Sequence, residues 1–485
     1  MSMTLTGLWV LPLFGCLVCS VLGRLWPGSV KRAAMAFSLL SLGAVVLAIG
    51  SSWSGGAFTT LNEVGPRWAY GISYRLSADS LSLALVGLTV FLNLICMIAS
   101  WELEVSPGYW ACFLALTAAL TGVFLARDLF FFYVFWEATL VPMFFIIGLW
   151  GSSGRRHAAL KFFIFTFAGS VFMLLALLVL VSSHHAATGA WTWDLAELDA
   201  KTLGPLARLV FWGLVLGFAV KIPMVPFHTW LPDAHTEAPA AGSVMLAGVM
   251  LKMGVYGLLR IALPLFPEIS WEALPILGGL AAFSTVYGAL CAMAQTDLKR
   301  LIAYSSIAHL GFCLLGVLSR TSQGLSGGAL QLVNHGLTTG ALFLMVGFMY
   351  ERVHKRGLAD FGDLASRAPT LAFFFGFSTL ASIGLPGLNG FVGEFMALSG
   401  AMAALPVLAI VGSVGVLLSA AYALPAFQAV FWAPAGPGSV SEKMSDLHLR
   451  EKAILWTMCG LMAWIGLAPK PWLAWFEPAI RGLVR

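Results

Sequence analysis

The chain has 485 residues, 59% of them apolar and 10% charged, with a formal net charge of +5 and a mean hydropathy of +0.89. Soluble proteins carry about 25% charged residues, so a water-soluble globule is excluded. The mild, scattered positive charge does not point to nucleic acid. A hydrocarbon core needs about 20 apolar residues per crossing helix, so fourteen helices use roughly 280 residues and leave about 14 per connection. No room remains in this chain for a nucleotide, flavin or iron–sulfur module.

In chain order, hydropathy predicts helices over residues 5–23, 32–50, 80–100, 109–125, 129–149, 160–182, 205–226, 240–262, 273–294, 301–318, 325–349, 369–398, 401–431 and 452–472. The expected fold class is therefore all-α, a polytopic membrane protein of about 14 transmembrane helices in a single transmembrane domain, 1–485. The first run, LWVLPLFGCLVCSVLG, lacks a basic leader and a cleavage site and reads as the first helix rather than a signal peptide. Cys16 and Cys19 have the spacing of a redox or metal pair in a soluble loop. In this apolar run they read as packed, unreactive thiols, and the other five cysteines are isolated. Lys and Arg number fifteen on the face of the odd connections and ten on the face of the termini, with Lys221 and Lys252 completing the 27. The positive-inside rule then places both termini on the outer side.

Two predicted spans are interrupted. Pro223 and Pro226 fall in KIPMVPF, and Pro386, Gly387, Gly390 and Gly393 in GLPGLNGFVGEF, each beside an ionisable residue. Interrupted segments in corresponding halves point to transporters whose ion sites form where backbone hydrogen bonding is broken. A proline kink satisfied by neighbouring helices is the plain alternative.

Four charges stand alone in long apolar runs. Glu137 is the only charge in the 26 residues between Asp128 and Arg155, and Lys221 the only one in the 24 between Arg208 and Asp233. Lys252 is alone in the 22 between Glu237 and Arg260, and Glu394 in the 74 from Ala368 to Ser441. Each costs about 2.5–3.5 kcal/mol at a helix centre, which argues for a partner or a water-filled cavity. Snorkelling explains a charge near a helix end, but not Lys252 in mid-span. A buried lysine beside a glutamate is a switchable proton store, because neutralising the carboxylate removes the charge that holds the lysine's proton.

Polar helix faces extend this set. Ser305 and His309 are four apart, as are Gln331 and His335, with Asn334 alongside, so each group shares a helical face, and histidine passes protons near neutral pH. An interhelical hydrogen bond is the alternative for each histidine. His228, Asp233, His235 and Glu237 in HTWLPDAHTE are metal-ligand types, but their crowding around Pro232 reads as a structured loop, and no metal is expected.

The stretches FWEATLVPMFFIIGLWG, KIPMVPFHTWLPDAHTEAPAAGSVMLAGVMLKMGVYGLLR, AQTDLKRLIAYSSIAHLGF and GLPGLNGFVGEF, in this order, resemble the M-type antiporter-like subunit of respiratory complex I, the proton-translocating NADH:quinone oxidoreductase. The resemblance spans about residues 75–435. It implies fourteen helices with two inverted five-helix repeats, 109–262 and 273–431, and two broken helices, at Lys221 and beside Glu394. It also implies that Glu137 and Lys221 form an ion pair, that Lys252 is the central proton carrier, that His309 and His335 bridge onward, and that Glu394 serves the exit half. Related L-type and N-type subunits and Mrp-type sodium/proton antiporters usually carry lysine at the position of Glu394, so the acid favours the M type.

The family further implies a non-redox subunit of a translocase in the bacterial cytoplasmic membrane. Flavin, iron–sulfur clusters and quinone are expected in partner subunits, with L-type and N-type subunits, lipid and protons as its own contacts. The alternatives are a subunit of an Mrp-type antiporter or of a membrane-bound hydrogenase, and a structural spacer.

Overall fold

A computed structural model describes residues 4–54 and 57–483. Among these, twelve helices are long and apolar enough to cross a membrane. The pair Leu449–Leu467 and Lys470–Arg481, bent by 77°, makes a thirteenth if counted as one. The expected span 369–398 is two shorter helices, Pro369–Ser382 and Asn389–Ala404, with 383–388 irregular between them. The helix expected over 205–226 ends at Lys221, because Pro223 and Pro226 lack the N–H that would continue it.

The chain divides into two compact units. One takes in the chain through Met97 with Leu103–Pro223 and Val249–Pro275; the other takes in Ile98–Glu102, Met224–Gly248 and the chain from Ile276 onward.

In the first unit the helices Leu5–Leu25 and Val30–Ser52 pack on Pro107–Leu125. Several hydroxyls inside these spans are satisfied locally or across helices, Thr121 being an exception. Ser38 donates to the Ala34 carbonyl and accepts from Asn93 Nδ2 at 2.9 Å. Such pairing is required where no water competes.

The all-α expectation misses a small feature in this unit. Leu61–Arg67 and Ser73–Ala78 form an antiparallel hairpin with Glu63 opposite Leu76. Its register shifts between Val64 and Arg67, where Pro66 has no N–H to give to the ladder. Glu63 accepts from Thr6 N at 2.9 Å and Thr6 Oγ1 at 2.6 Å, and Trp9 donates to Tyr74 at 2.9 Å. The hairpin therefore covers the start of the first helix. Asp128 fastens it to the next layer, accepting from Ser73 N at 2.8 Å while capping the helix Leu129–Ala138 through Phe130 N at 2.9 Å.

In the second unit the helix Ser322–Val353 is wholly buried in its spanning part and packs on Leu298–Leu318 and Asn389–Ala404. Asp297 caps Leu298–Leu318 by accepting from Lys299 N at 2.8 Å and Arg300 N at 3.0 Å. A distant residue caps Pro369–Ser382. Asp446 accepts from Thr370 N and Leu371 N, each at 3.1 Å, and from its neighbour Leu447 N at 2.8 Å.

Burial pushes the Asp446 carboxyl up, but hydrogen bonds from Thr370, Leu447 and Leu371 outweigh it and hold the group below its ordinary value. Its stabilisation is thus complete above the unfolded carboxylate range and is lost as pH falls through the lower folded value. Asp446→Ala is expected to cost about 1 kcal/mol, the usual worth of a cap. The checking measurement is thermal unfolding of the detergent-extracted protein: a gap between variant and wild type at neutral pH that closes in acid.

Candidate functional site

In the first unit, Glu137 lies near the end of the helix Leu129–Ala138, and the Tyr133 and Ser170 hydroxyls stand beside it. Lys221 is the last residue of its helix and 1% exposed, where the partial negative charge of the helix end favours a cation. Its ammonium is 5.8 Å from the Trp136 ring centre and 5.6 Å from that of Phe162, within cation–π range of both. Lys221 Nζ and Glu137 Oε1 are buried without a hydrogen-bond partner, yet the two charges interact. The resemblance implies an ion pair here, but no hydrogen bond or close ion contact joins Lys221 to Glu137.

Lys252 is fully buried. It belongs to the segment Leu251–Gly257, flanked by π-helical turns at Leu246–Met250 and Leu258–Ala262. Such turns shift the helical register locally and concentrate at functional sites.

In the second unit, three of the expected residues come together by direct contact. Glu394 Oε1 lies 2.8 Å from His309 Nδ1 and accepts from Gln331 Nε2 at 3.0 Å. His309 Nε2 is 3.1 Å from Ser382 Oγ. When Nδ1 donates to the carboxylate, neutral Nε2 accepts from the hydroxyl; on protonation it donates instead and the hydroxyl turns. The imidazole thus has a ready place for a second proton. The His335 ring centre is 5.8 Å from that of His309.

A ring of amides fixes this arrangement. Asn334 donates to Asn389 O at 2.7 Å and to Gln331 Oε1 at 3.3 Å, and Asn389 returns a bond to Thr338 Oγ1 at 3.2 Å. His309, Gln331, Asn334, His335, Thr338 and Ser382 are among the residues around a cavity of about 10 Å³.

The broken helix makes the cluster possible. Gly384 and Gly387 take φ of +76° and +94°, a region that only glycine enters without strain. Gly390 lies so close to the Ala381 carbonyl that a Cβ would collide with it. The freed chain brings Ser382 and Glu394, on different half-helices, to the same histidine. Glu394 Oε2 is buried and carries no hydrogen bond.

Sequence reasoning missed Ser382 and Asn389; Ser382 precedes GLPGLNG and Asn389 lies within it, and the polar residues bordering a helix break are the feature that would have found them. Tyr422, buried and electrostatically coupled to Glu394, was also missed. Conversely, Ser305 turns back to the Ile302 carbonyl at 2.8 Å and makes no hydrogen bond to His309. The residues of HTWLPDAHTE disperse to separate neighbours. Asp233 pairs with Arg300 at 3.4 Å and Glu237 with Arg356 at 3.6 Å, His235 stacks on Phe343, and His228 meets Tyr287 edge-on.

The chain is similar to known proteins over most of its length. Residues 126–419 match the family described as "NADH:quinone oxidoreductase/Mrp antiporter, TM". The chain is 42% identical over 427 residues to NADH-quinone oxidoreductase subunit M of Rhodobacter capsulatus, covering 86% of this chain and 83% of the relative. Among solved structures it is similar to a chain of respiratory complex I from Thermus thermophilus, with a TM-score of 0.88, 32% identity and 99% of each chain covered. A chain of the Mrp complex from a Dietzia species shares the fold at a TM-score of 0.88 and 22% identity, covering 100% of this chain and 98% of that one.

Proposed function

The chain belongs to the NADH-quinone oxidoreductase subunit M family, and from that premise we propose that it moves protons through Glu137, Lys221, Lys252, His309, His335 and Glu394 while partner subunits perform the redox chemistry. It is a multi-pass membrane protein and a subunit of NADH-quinone oxidoreductase, assembled with other membrane-arm subunits. The observation that carries the relay reading is the direct His309–Glu394 contact at 2.8 Å, with a hydroxyl on the other ring nitrogen and a second imidazole alongside. A buried carboxylate–imidazole–hydroxyl line has a site for a proton at every step, which a structural spacer does not need.

In this reading the first unit stores charge. Redox-driven change near Glu137 alters the field at Lys221, and Lys252 takes up and releases the proton that the second unit conveys. Flavin, iron–sulfur clusters and quinone belong to the partners. L-type and N-type subunits are the lateral neighbours. The chain lies in a bacterial cytoplasmic membrane with both termini outside, as the fifteen-to-ten distribution of basic residues favours.

The test is to extract the native protein in mild detergent and record the visible spectrum, subunit content and NADH oxidation of its particle. Flavin and iron–sulfur absorption with NADH oxidation is the expected result. A colourless particle that exchanges ions under a gradient alone would overturn the reading in favour of an antiporter.

A further inference from the structure

Lys252 and Tyr256 are four residues apart in the α-helical segment Leu251–Gly257 and share a face, and Arg260, in the π-helical turn that follows, lies over the Tyr256 ring. That face climbs from the fully buried Lys252 through Tyr256, 6% exposed, to Arg260, whose side chain is 20% exposed. It ends where Arg260 pairs with Asp79, the residue between the hairpin strand Ser73–Ala78 and the helix Ser80–Ala99. The hairpin is bonded to Thr6 and Trp9, so this end of the face opens on the side that carries the N-terminus. Nothing in the relay described above uses Tyr256, Arg260 or Asp79.

The chemistry of these groups is poor for conduction and good for closure. The Tyr256 hydroxyl donates its only proton to the Phe124 carbonyl at 2.9 Å, so its 2.9 Å contact with Ser82 Oγ has serine as the donor. One phenol thereby ties three segments together. The Arg260 guanidinium lies 5.7 Å from the Tyr256 ring centre. Arginine does not give up its proton in proteins, and a fixed cation in a narrow path repels protons. Asp79 is held in turn, since its Oδ1 accepts from Ser82 N at 2.9 Å. Close packing completes the closure. A Cβ on Gly254 would lie 2.5 Å from Ile222 Cγ1 and 2.8 Å from the Phe218 carbonyl, and one on Gly257 would collide with the Phe218 ring.

We propose that Tyr256, clamped by Phe124 and Ser82 beneath the Arg260–Asp79 pair, is a seal that stops a proton on Lys252 from leaking directly to the face carrying the N-terminus. The inference rests on the relay reading, because a seal is needed only if Lys252 holds a mobile proton.

The test uses the whole complex reconstituted in lipid vesicles, with passive proton permeability measured beside NADH oxidation and pumping. Tyr256→Phe removes the ties to both Phe124 and Ser82; each hydrogen bond is worth about 1 kcal/mol, so permeability is expected to rise at least about fivefold while NADH oxidation is unchanged. Asp79→Asn, which frees Arg260 without touching the phenol, is expected to shift permeability the same way. Both are scored only in particles of wild-type subunit content. Adding Lys252→Met to Tyr256→Phe is expected to remove the extra leak.

Wild-type permeability in both single variants would overturn the seal, as would reduced pumping without any leak, which would make this face a conducting exit. An unchanged pumping ratio in Lys252→Met alone would remove the relay itself. A lost ratio there with no leak in Tyr256→Phe would remove only the seal.

Discussion

Lys252→Met is expected to abolish the share of proton pumping that runs through this subunit while leaving the fold intact. Methionine has nearly the length and volume of lysine and fits a site that is fully buried. Removing one member of a buried interaction can itself destabilise, so the comparison is made only in particles whose subunit content and thermal stability match wild type. Function should fall because the proton loses its resting place inside the bilayer. An uncompensated charge there costs about 2.5–3.5 kcal/mol, and each 1.4 kcal/mol is about tenfold in rate, so transfer should slow by roughly a hundredfold. The measurement is protons translocated per NADH oxidised in vesicles. A wild-type ratio from a fully assembled particle would sink the assignment of Lys252.

Glu394→Gln should separate charge from shape at the other end. Glutamine keeps an oxygen that accepts from Gln331 and His309, whose contacts to Glu394 Oε1 are 3.0 and 2.8 Å. It removes the charge and the ability to bind a proton. Hydrogen bonds to charged groups are worth about 1.5–3 kcal/mol against about 1 for neutral ones, so the contact that holds the His309 ring in place should weaken. The expected result is a particle that assembles normally and pumps poorly, with the defect persisting across pH. Normal pumping would mean that Glu394 only fills space and that the imidazoles act without it.

The four lone charges were legible because a single ionisable residue in an apolar run is conspicuous whatever the fold, and the bilayer penalty makes it meaningful. The two helix breaks were legible for a similar reason, since Pro223, Pro226, Pro386 and Gly387 impose local backbone limits that act before any packing. Ser382 and Asn389 were not legible as partners of His309 and Asn334. They are 73 and 55 residues away from them in the chain, and small polar side chains are common at helix ends. The same limit hid the 181-residue separation between Arg260 and Asp79. The hairpin over 61–78 escaped because a hydropathy reading sees only that this segment does not cross.

By itself, then, the sequence determined that this protein lives in a bilayer, where its helices run and break, and which charges stand inside them. Those properties follow from transfer energies and backbone geometry, which are local. Tertiary structure alone decided that His309 touches Glu394 and Ser382, that Lys221 faces Trp136 and Phe162 with no direct hydrogen bond to Glu137, and that Tyr256 clasps Phe124 under Arg260. Hydrogen bonds and ion contacts act over a few ångströms and depend on rotamer and helix register, so they exist only once distant segments have packed.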